Sequence, residues 1–477
     1  MMKLHFITTL SEKIGLLLDG EQCLDIFIER EIQKASYRSV YLGKVRNIDE
    51  SMEAAFIDIG EEKVAFLPKR MIPFVPRGDK LSSYLQEGKR LLVQISKEAY
   101  QDKGPQVTAD IAIAGQHLVF LPIANKITAS RKLPESMQRH WKNIVAKELQ
   151  NGEGIIIRTN VESAEEETIC KELWYLRSQW TNLLDSASKA EAPVLLWQPP
   201  LVPNQMLNDY QNKSFDDITF DDPKICQAMQ QLYPNQAANM RVSKQRHRFA
   251  GKHINQWLVE AIQPEVRKQD GMVLTVEETA ALSVIDIDSH AFKSRQNKAM
   301  TTFQMNKRAV VYAVEEIRKR NMSGMIMIDF LKMKPKEEQV IIQLLNKCLR
   351  EDPVQTKVFE FTALGLLEMT RKRERIGLLQ LLTDRTSAYR TPLSNASIAY
   401  QLQRELVELE RQVEAVLIVM ESAVYPCFHQ QNFSYQLDVY YHIDETISGY
   451  QLLRAGSQTL INEYMKQHPE IVIDKFS

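Results

Sequence analysis

Hydrophobic positions along this chain change period several times, and each change predicts an element. The clearest case spans residues 279–333. In ALSVIDID, Leu282, Val284, Ile285 and Ile287 form a short apolar run carrying Asp286 and Asp288 at its end, which predicts a strand. GMIMIDFLKM repeats the arrangement, with Met325, Ile326, Met327 and Ile328 leading into Asp329. Between them, MTTFQMNKRAVVYAVEEIRKRNMSG has helical spacing. Phe303, Val310, Val314 and Ile317 share one side, and Ser323-Gly324 ends the run. Such a strand–helix–strand unit joins sequence-distant strands in one sheet, so acids late in both converge at one sheet end.

The same reading divides the rest of the chain. Residues 1–35 predict a hairpin around Asp19-Gly20 whose strands need a later segment to pair with. From residue 36 to 118, short strands separated by turns at Gly43, Gly60 and Gly88 predict a small closed barrel. Strands and helices mix over 119–194, and the proline-rich APVLLWQPPLVPNQ marks a boundary near 193–204. Beyond 394, IAYQLQRELVELERQVEAVLIVMES predicts one long helix, SYQLDVYYHID a strand pair, and 449–466 a last helix.

Composition narrows the setting. The 477 residues suffice for two to four domains. Sixty Lys and Arg nearly cancel 61 Asp and Glu, so any nucleic-acid footprint is local. The strongest basic run is RVSKQRHRFAGKHINQWL, which reads either as a phosphate contact or as one solvated helix face. Five cysteines without a CxxC pair imply reduced thiols. With no signal sequence and no membrane-length apolar run, a cytoplasmic protein is expected.

Convergent carboxylates suit a hard cation such as Mg²⁺, which activates water and offsets charge on a phosphate undergoing displacement. Spacing alone nevertheless favours acids that merely end strands. Asp216, Asp217, Asp221 and Asp222 read as solvated loop acids and helix caps.

EETAALSVIDIDS, MNKRAVVYAVEEIRKRNMSGMIMIDFLKM and FTALGLLEMTRKR together resemble the catalytic signature of the ribonuclease E/G family of bacterial endoribonucleases. Weaker similarity extends from the N-terminus to about residue 375. The resemblance implies that Asp286 and Asp329 bind a catalytic Mg²⁺. Asp288 joins the catalytic set at a position where the family usually has an asparagine.

YLGKVRNIDESMEAAFIDIGEEKVAFLP is similar to an S1-type OB-fold that binds single-stranded RNA. The resemblance implies that Phe56 and Phe66 stack on bases and that Lys103 meets phosphate, although strand aromatics taken alone read as core. It likewise implies that Arg158, Thr159 and Arg131 bind a 5′-terminal monophosphate. Asn306 matches a family asparagine in the helix, and Arg371, Lys372 and Arg373 line the RNA channel or end a solvated helix.

The expected fold is therefore a multidomain α+β chain. An RNase H-like subdomain (1–35 plus 195–262) is interrupted by the S1-type barrel (36–118) and the 5′-sensor (119–194). A DNase I-like α/β catalytic subdomain (263–380) and a small C-terminal helical or mixed domain (381–477) follow. The expected activity is Mg²⁺-dependent endonucleolytic cleavage of single-stranded, A/U-rich RNA, in ribosomal RNA processing or message decay, favouring 5′-monophosphate ends. The alternative is a non-catalytic RNA-binding protein of the same fold. The family's zinc link between subunits needs paired cysteines that this chain lacks after residue 375, so no structural zinc is expected and any homo-oligomer forms without it.

Overall fold

The computed structural model describes residues 1–477 except 31–34, 101–102, 131, 211–212, 244–246, 280, 289–297, 351, 384–392, 432, 470 and 477. The chain opens with strands β1 (Met2–Ile7), β2 (Glu12–Asp19) and β3 (Gln22–Arg30), the last two joined by a turn with Gly20 at φ +59°. A glycine tolerates that left-handed geometry without a Cβ clash. These strands carry apolar residues on both faces, Leu4, Phe6 and Leu17 toward one core and Ile7, Ile14 and Leu16 toward another.

A barrel follows, built from β4 (Val40–Asp49), β5 (Ala54–Asp58), β6 (Ala65–Pro68), β7 (Arg90–Lys97) and β8 (Gln106–Thr108). Their order is β4-β5-β6-β8-β7, and β7 pairs back onto β4 to close the ring. Alternation fills it: Val45, Ala55, Ile57, Ala65, Leu67, Val93, Ile95 and Val107 are buried in one cluster. This is a five-stranded closed barrel of the kind an OB-fold has.

Next come β9 (Ile113–Ala114), β10 (Leu118–Leu121), β11 (Ile127–Ala129) and β12 (Gly154–Ile157), in the order β11-β12-β10-β9. The helices Glu135–Glu148 and Glu166–Lys189 cover this sheet with Trp141, Val145, Ile169, Leu173 and Leu176. Strand β13 (Val194–Trp197) then returns to the barrel beside β4.

Strands β14 (Asp217–Phe220) and β15 (Met240–Val242) complete the first sheet in the order β15-β14-β1-β2-β3, with β1 parallel to β14. After the short pair β16 (Arg248–Phe249) and β17 (Lys252–His253) comes the helix Ile254–Ala261.

The second large sheet contains β18 (Glu265–Arg267), β19 (Val273–Glu278), β20 (Leu282–Asp288), β21 (Gly324–Asp329), β22 (Thr356–Phe361) and β23 (Leu366–Arg371), ordered β18-β19-β20-β21-β23-β22. The helices Lys298–Lys319 and Pro335–Leu349 share one core with it. Ile285, Ile287, Ile326, Ile328, Leu367 and Met369 of the sheet meet Val310, Ala313, Ile317, Ile341 and Leu345 of the helices. The opposite face keeps Met325 half-exposed and Asp286 and Asp329 exposed.

The C-terminal region corrects the expected long helix. Helix Asn395–Leu409 stops, and AVLIVM forms β24 (Ala415–Met420), buried along its whole length. A continuous apolar, β-branched run of this length suits a strand covered on both faces. Strands β25 (Asp438–Ile443), β26 (Tyr450–Gly456) and β27 (Asp474–Lys475) flank it in the order β26-β24-β25-β27. The expected last helix is instead β26 followed by helix Gln458–Gln467.

This region docks on the first sheet through charge. Glu12, fully buried, accepts from Arg30 Nε at 2.7 Å and from Arg404 of helix Asn395–Leu409. Burial alone would raise the Glu12 carboxyl, but the two guanidiniums hold it below the ordinary carboxylate range.

Candidate functional site

Alternation along β20 places Ile285 and Ile287 in the core and turns Asp286 to the open face, and β21 does the same with Ile328 and Asp329. The parallel register then sets Asp286 directly opposite Asp329. Side chains of paired residues share a face, so the two carboxylates are neighbours across one strand spacing. Burial, and then the negative charge of Asp286, raise the Asp329 carboxyl above its ordinary value. Asp288 lies two residues along, on the same side of β20 and opposite Val273 of β19.

Asn306 anchors this arrangement from the helix. It is fully buried, donates from Nδ2 to the Leu331 carbonyl at 2.7 Å, and accepts the Leu331 N–H at 3.1 Å. The amide thus fixes the backbone two residues past Asp329 as a neighbouring strand would.

The barrel shows a second surface. Phe56 and Phe66 are register partners on β5 and β6 with ring centroids 5.9 Å apart, edge to face. Ile57 and Leu67 beside them fill the interior, so both rings face outward and are partly exposed, not core. Lys103 is exposed on the loop entering β8, two residues before Pro105, whose carbonyl accepts the Phe66 N–H at 2.8 Å. Gly104 is required there, because a Cβ would meet the Val64 carbonyl oxygen at 2.1 Å. The glycine lets the loop carrying Lys103 lie against β6.

Arg158 and Thr159 follow β12 and line a cavity of 590 Å³ where the first sheet, the β9–β12 layer, the 198–213 connection and the second sheet converge. Arg158 donates to the Gly115 carbonyl at 2.8 Å. Arg38, Lys132, Arg350 and Arg375 also border the space, with Asp209 among them. Burial pushes the Asp209 carboxyl up to about 6, against the pull of Arg375, Arg38 and Arg158.

The profile of the Ribonuclease E/G family matches residues 112–374, more than half of the chain. Ribonuclease G of Escherichia coli is 28% identical over 424 residues, covering 84% of this chain and 86% of that protein. Ribonuclease G of Haemophilus influenzae is 29% identical over 425 residues with the same coverage. Ribonuclease E of Synechocystis is 30% identical over 359 residues, 72% of this chain and 53% of that protein. The chain belongs to the ribonuclease E/G family. That places it among the ribonucleases.

Within this ribonuclease E/G chain the matched span contains both strand acids together with Arg158 and Thr159, and it begins just past the barrel strands β4–β8. Arg131, expected at the 5′-phosphate, lies outside the described residues, as does the 289–297 stretch that follows Asp288.

Several polar residues have other employment. Asp221 is buried rather than solvated, accepting from the backbone and hydroxyls of Thr8 and Thr9. Asp222 caps the helix Pro223–Leu232, and Asp217 pairs with Arg241. Arg371 is not a channel residue: it is buried in a two-pronged pair with Asp352.

The basic run 241–258 is no single helix face, since it spans β15 to β17 before the next helix starts. His247 and His253 of that run are buried, and they bring ligand-type atoms within 4.8 Å of Glu408. His253 Nδ1 already accepts the Asn255 N–H at the helix cap, so the neutral ring carries its proton on Nε2, 3.2 Å from Glu408 Oε1. A protonated ring nitrogen has no lone pair to offer a metal. Among the described residues, no helix is long and apolar enough to cross a membrane.

Proposed function

We propose that this chain is an endoribonuclease that cuts single-stranded RNA with the help of a divalent cation, Mg²⁺, held by Asp286 and Asp329. The observation that carries the reading is their register: two exposed carboxylates face the same way from paired positions, and one raises the other's pKa. Such a pair is electrostatically incomplete and fits a hard cation that takes oxygen ligands from one or two acids. Bound there, the ion would activate water and offset charge on the phosphodiester.

The chain's own residues do the rest. Asn306 fixes the backbone after Asp329, and Asp288 orders the outer shell of the site. Phe56 and Phe66 present ring faces and edges outside the barrel for base stacking, with Lys103 beside them for phosphate. Stacking reads no base edge, so a leaning toward A/U-rich stretches rests on their weak pairing. Arg158 and Thr159, in a cavity bordered by further cations, favour a 5′-monophosphate end. Reduced, unpaired thiols suit a cytoplasmic setting.

The test is cleavage of a short single-stranded RNA in Mg²⁺ by wild type and Asp286→Asn, with 5′-monophosphate and 5′-triphosphate substrates. Wild type alone should cut, faster on the monophosphate. Equal cutting by both proteins removes the metal assignment. Binding without cutting by either leaves an RNA-binding protein.

A further inference from the structure

The cavity beside Arg158 holds an acid among its cations. Arg38, Arg158 and Arg375 line it from the entry to β4, the end of β12 and the segment after β23. Asp209, on the short helix Met206–Tyr210, lines the same space. It accepts from Gln205 Nε2 at 2.6 Å, and Gln205 Oε1 accepts in turn from Arg38 Nη1 at 3.2 Å. Among the described residues, the three arginines act on Asp209 by charge alone, without a hydrogen bond to it. Acid and cations thus share the cavity without closing on one another.

The other carboxylates of the wall are engaged. Glu29 accepts from Lys13 and from the Leu201 and Val202 N–H groups, and Glu98 from the Tyr37 and Ile376 N–H groups. Asp352 is paired with Arg371, and Glu374 with Lys372. Burial raises the phenols of Tyr210 and Tyr233, so both stay neutral near Asp209. Lys132, Lys213 and Arg350 add positive charge to the lining. Burial outweighs the arginines and lifts the Asp209 carboxyl to about 6. A phosphate dianion among those arginines sets a second anion beside an acid that already ionises reluctantly, which favours the neutral acid further. In that form Asp209 has an O–H to donate, and a phosphate oxygen is a strong acceptor.

Resting on the reading that Arg158 and Thr159 receive a 5′-monophosphate, we infer that Asp209 takes up one proton from solvent as the phosphate enters and then donates its O–H to a phosphate oxygen. The proton moves onto a carboxylate oxygen, and no other bond changes. The cavity's 590 Å³ leaves room for the phosphate beside the acid. Asp209 is thereby a specificity-determining residue: it accommodates a compact dianion with one proton taken up, and it repels the extra negative charge of a 5′-triphosphate. At neutral pH and above, the free protein holds Asp209 ionised and the complex holds it protonated. Affinity for the phosphate end therefore falls as pH rises, by about tenfold per pH unit.

The experiment measures binding of a short single-stranded RNA with a 5′-monophosphate or a 5′-hydroxyl end, in the Asp286→Asn background so that the RNA stays intact. Anisotropy is followed from about pH 7 to about pH 8.5, where the phosphate, with its second pKa of about 6, is already a dianion and the arginines keep their charge. The preference for the phosphate end should fall about tenfold per pH unit with Asp209 present and stay flat in Asp209→Asn. By about pH 8 the Asn variant should hold the phosphate end about tenfold tighter than its parent, because its amide donates without a proton. Calorimetry in buffers of different ionisation enthalpy should show uptake of about one proton with the phosphate RNA and none with the hydroxyl RNA. That measurement decides if Asp209→Asn fails to fold. A phosphate preference that is constant with pH, with no proton taken up, overturns the role of Asp209 and spares the 5′-end reading. No phosphate preference even at the lowest pH overturns both.

Discussion

Asp286 and Asp329 face each other residue for residue across two parallel strands, and each is more than forty positions from the other in sequence. That relationship makes their ionisation interdependent. The Asp329 carboxyl is expected to titrate above its ordinary value in the wild type, and to fall when Asp286→Asn removes the neighbouring charge. Carboxyl NMR titration without divalent cation measures both. Adding Mg²⁺ to the wild type should lower it as well, because a cation favours the ionised form. No response to either change would separate the two acids and dissolve the proposed site.

On the barrel, Phe56→Ala and Phe66→Ala remove rings that contribute little to the interior. Each should cost about 1–3 kcal/mol of single-strand binding per stacked base. Thermal stability should change far less than in Ile57→Ala, whose side chain is wholly buried in the barrel. A large loss of stability in the phenylalanine variants would return them to the core.

His5 gives a pH dependence with a defined sign. The ring is buried between β1 and β14, stacks on Phe249 at 4.4 Å, and is lowered by burial to about 4. Its folded pKa lies below the unfolded 6.5, so the unfolded chain binds the proton more readily. The stability it contributes is present above 6.5 and lost as pH falls toward 4, about 3 kcal/mol in all. Urea unfolding at both ends of that window should show a smaller difference in His5→Asn than in the wild type. An equal difference would mean that other groups set the acid limit.

Glu12→Ala leaves Arg30 and Arg404 buried without their shared carboxylate. Breaking a buried pair by removing one partner costs about 3–5 kcal/mol. Calorimetry should show a lowered melting temperature. If instead the C-terminal region melts unchanged, the docking through Arg404 is not structural.

Sequence pattern reached the second large sheet well, because Ile285-Asp286-Ile287 and Ile328-Asp329 alternate core and surface over a few residues. Local periodicity carries that information. It fails where the partner is distant. Nothing near Arg371 announces Asp352, and nothing near His253 announces Glu408, so both looked like surface groups and both are buried. Phe56 was ambiguous for another reason. Ala54-Ala55-Phe56-Ile57-Asp58 offers apolar residues to both faces, and only the curvature of the closed ring decides that Ile57 goes inside. The strand β24 hid inside an apparent helix, since Leu406 and Leu409 lead with helical spacing into an apolar run too short to declare its own period.

The first sheet also shapes how the chain must be made. β1 lies between β2 and β14, and His5 meets Thr219 across 214 positions. The ring of the barrel closes within residues 40–108, so its five strands pair early and only β13 joins them later. β1, with apolar side chains on both faces, has an open edge until β14 leaves the ribosome. At about 5–20 residues per second, that edge waits roughly ten to forty seconds. During synthesis the open edge of β1 is exposed to wrong strand pairing, and Leu4–Ile7 is an apolar segment that a nascent-chain chaperone would cover.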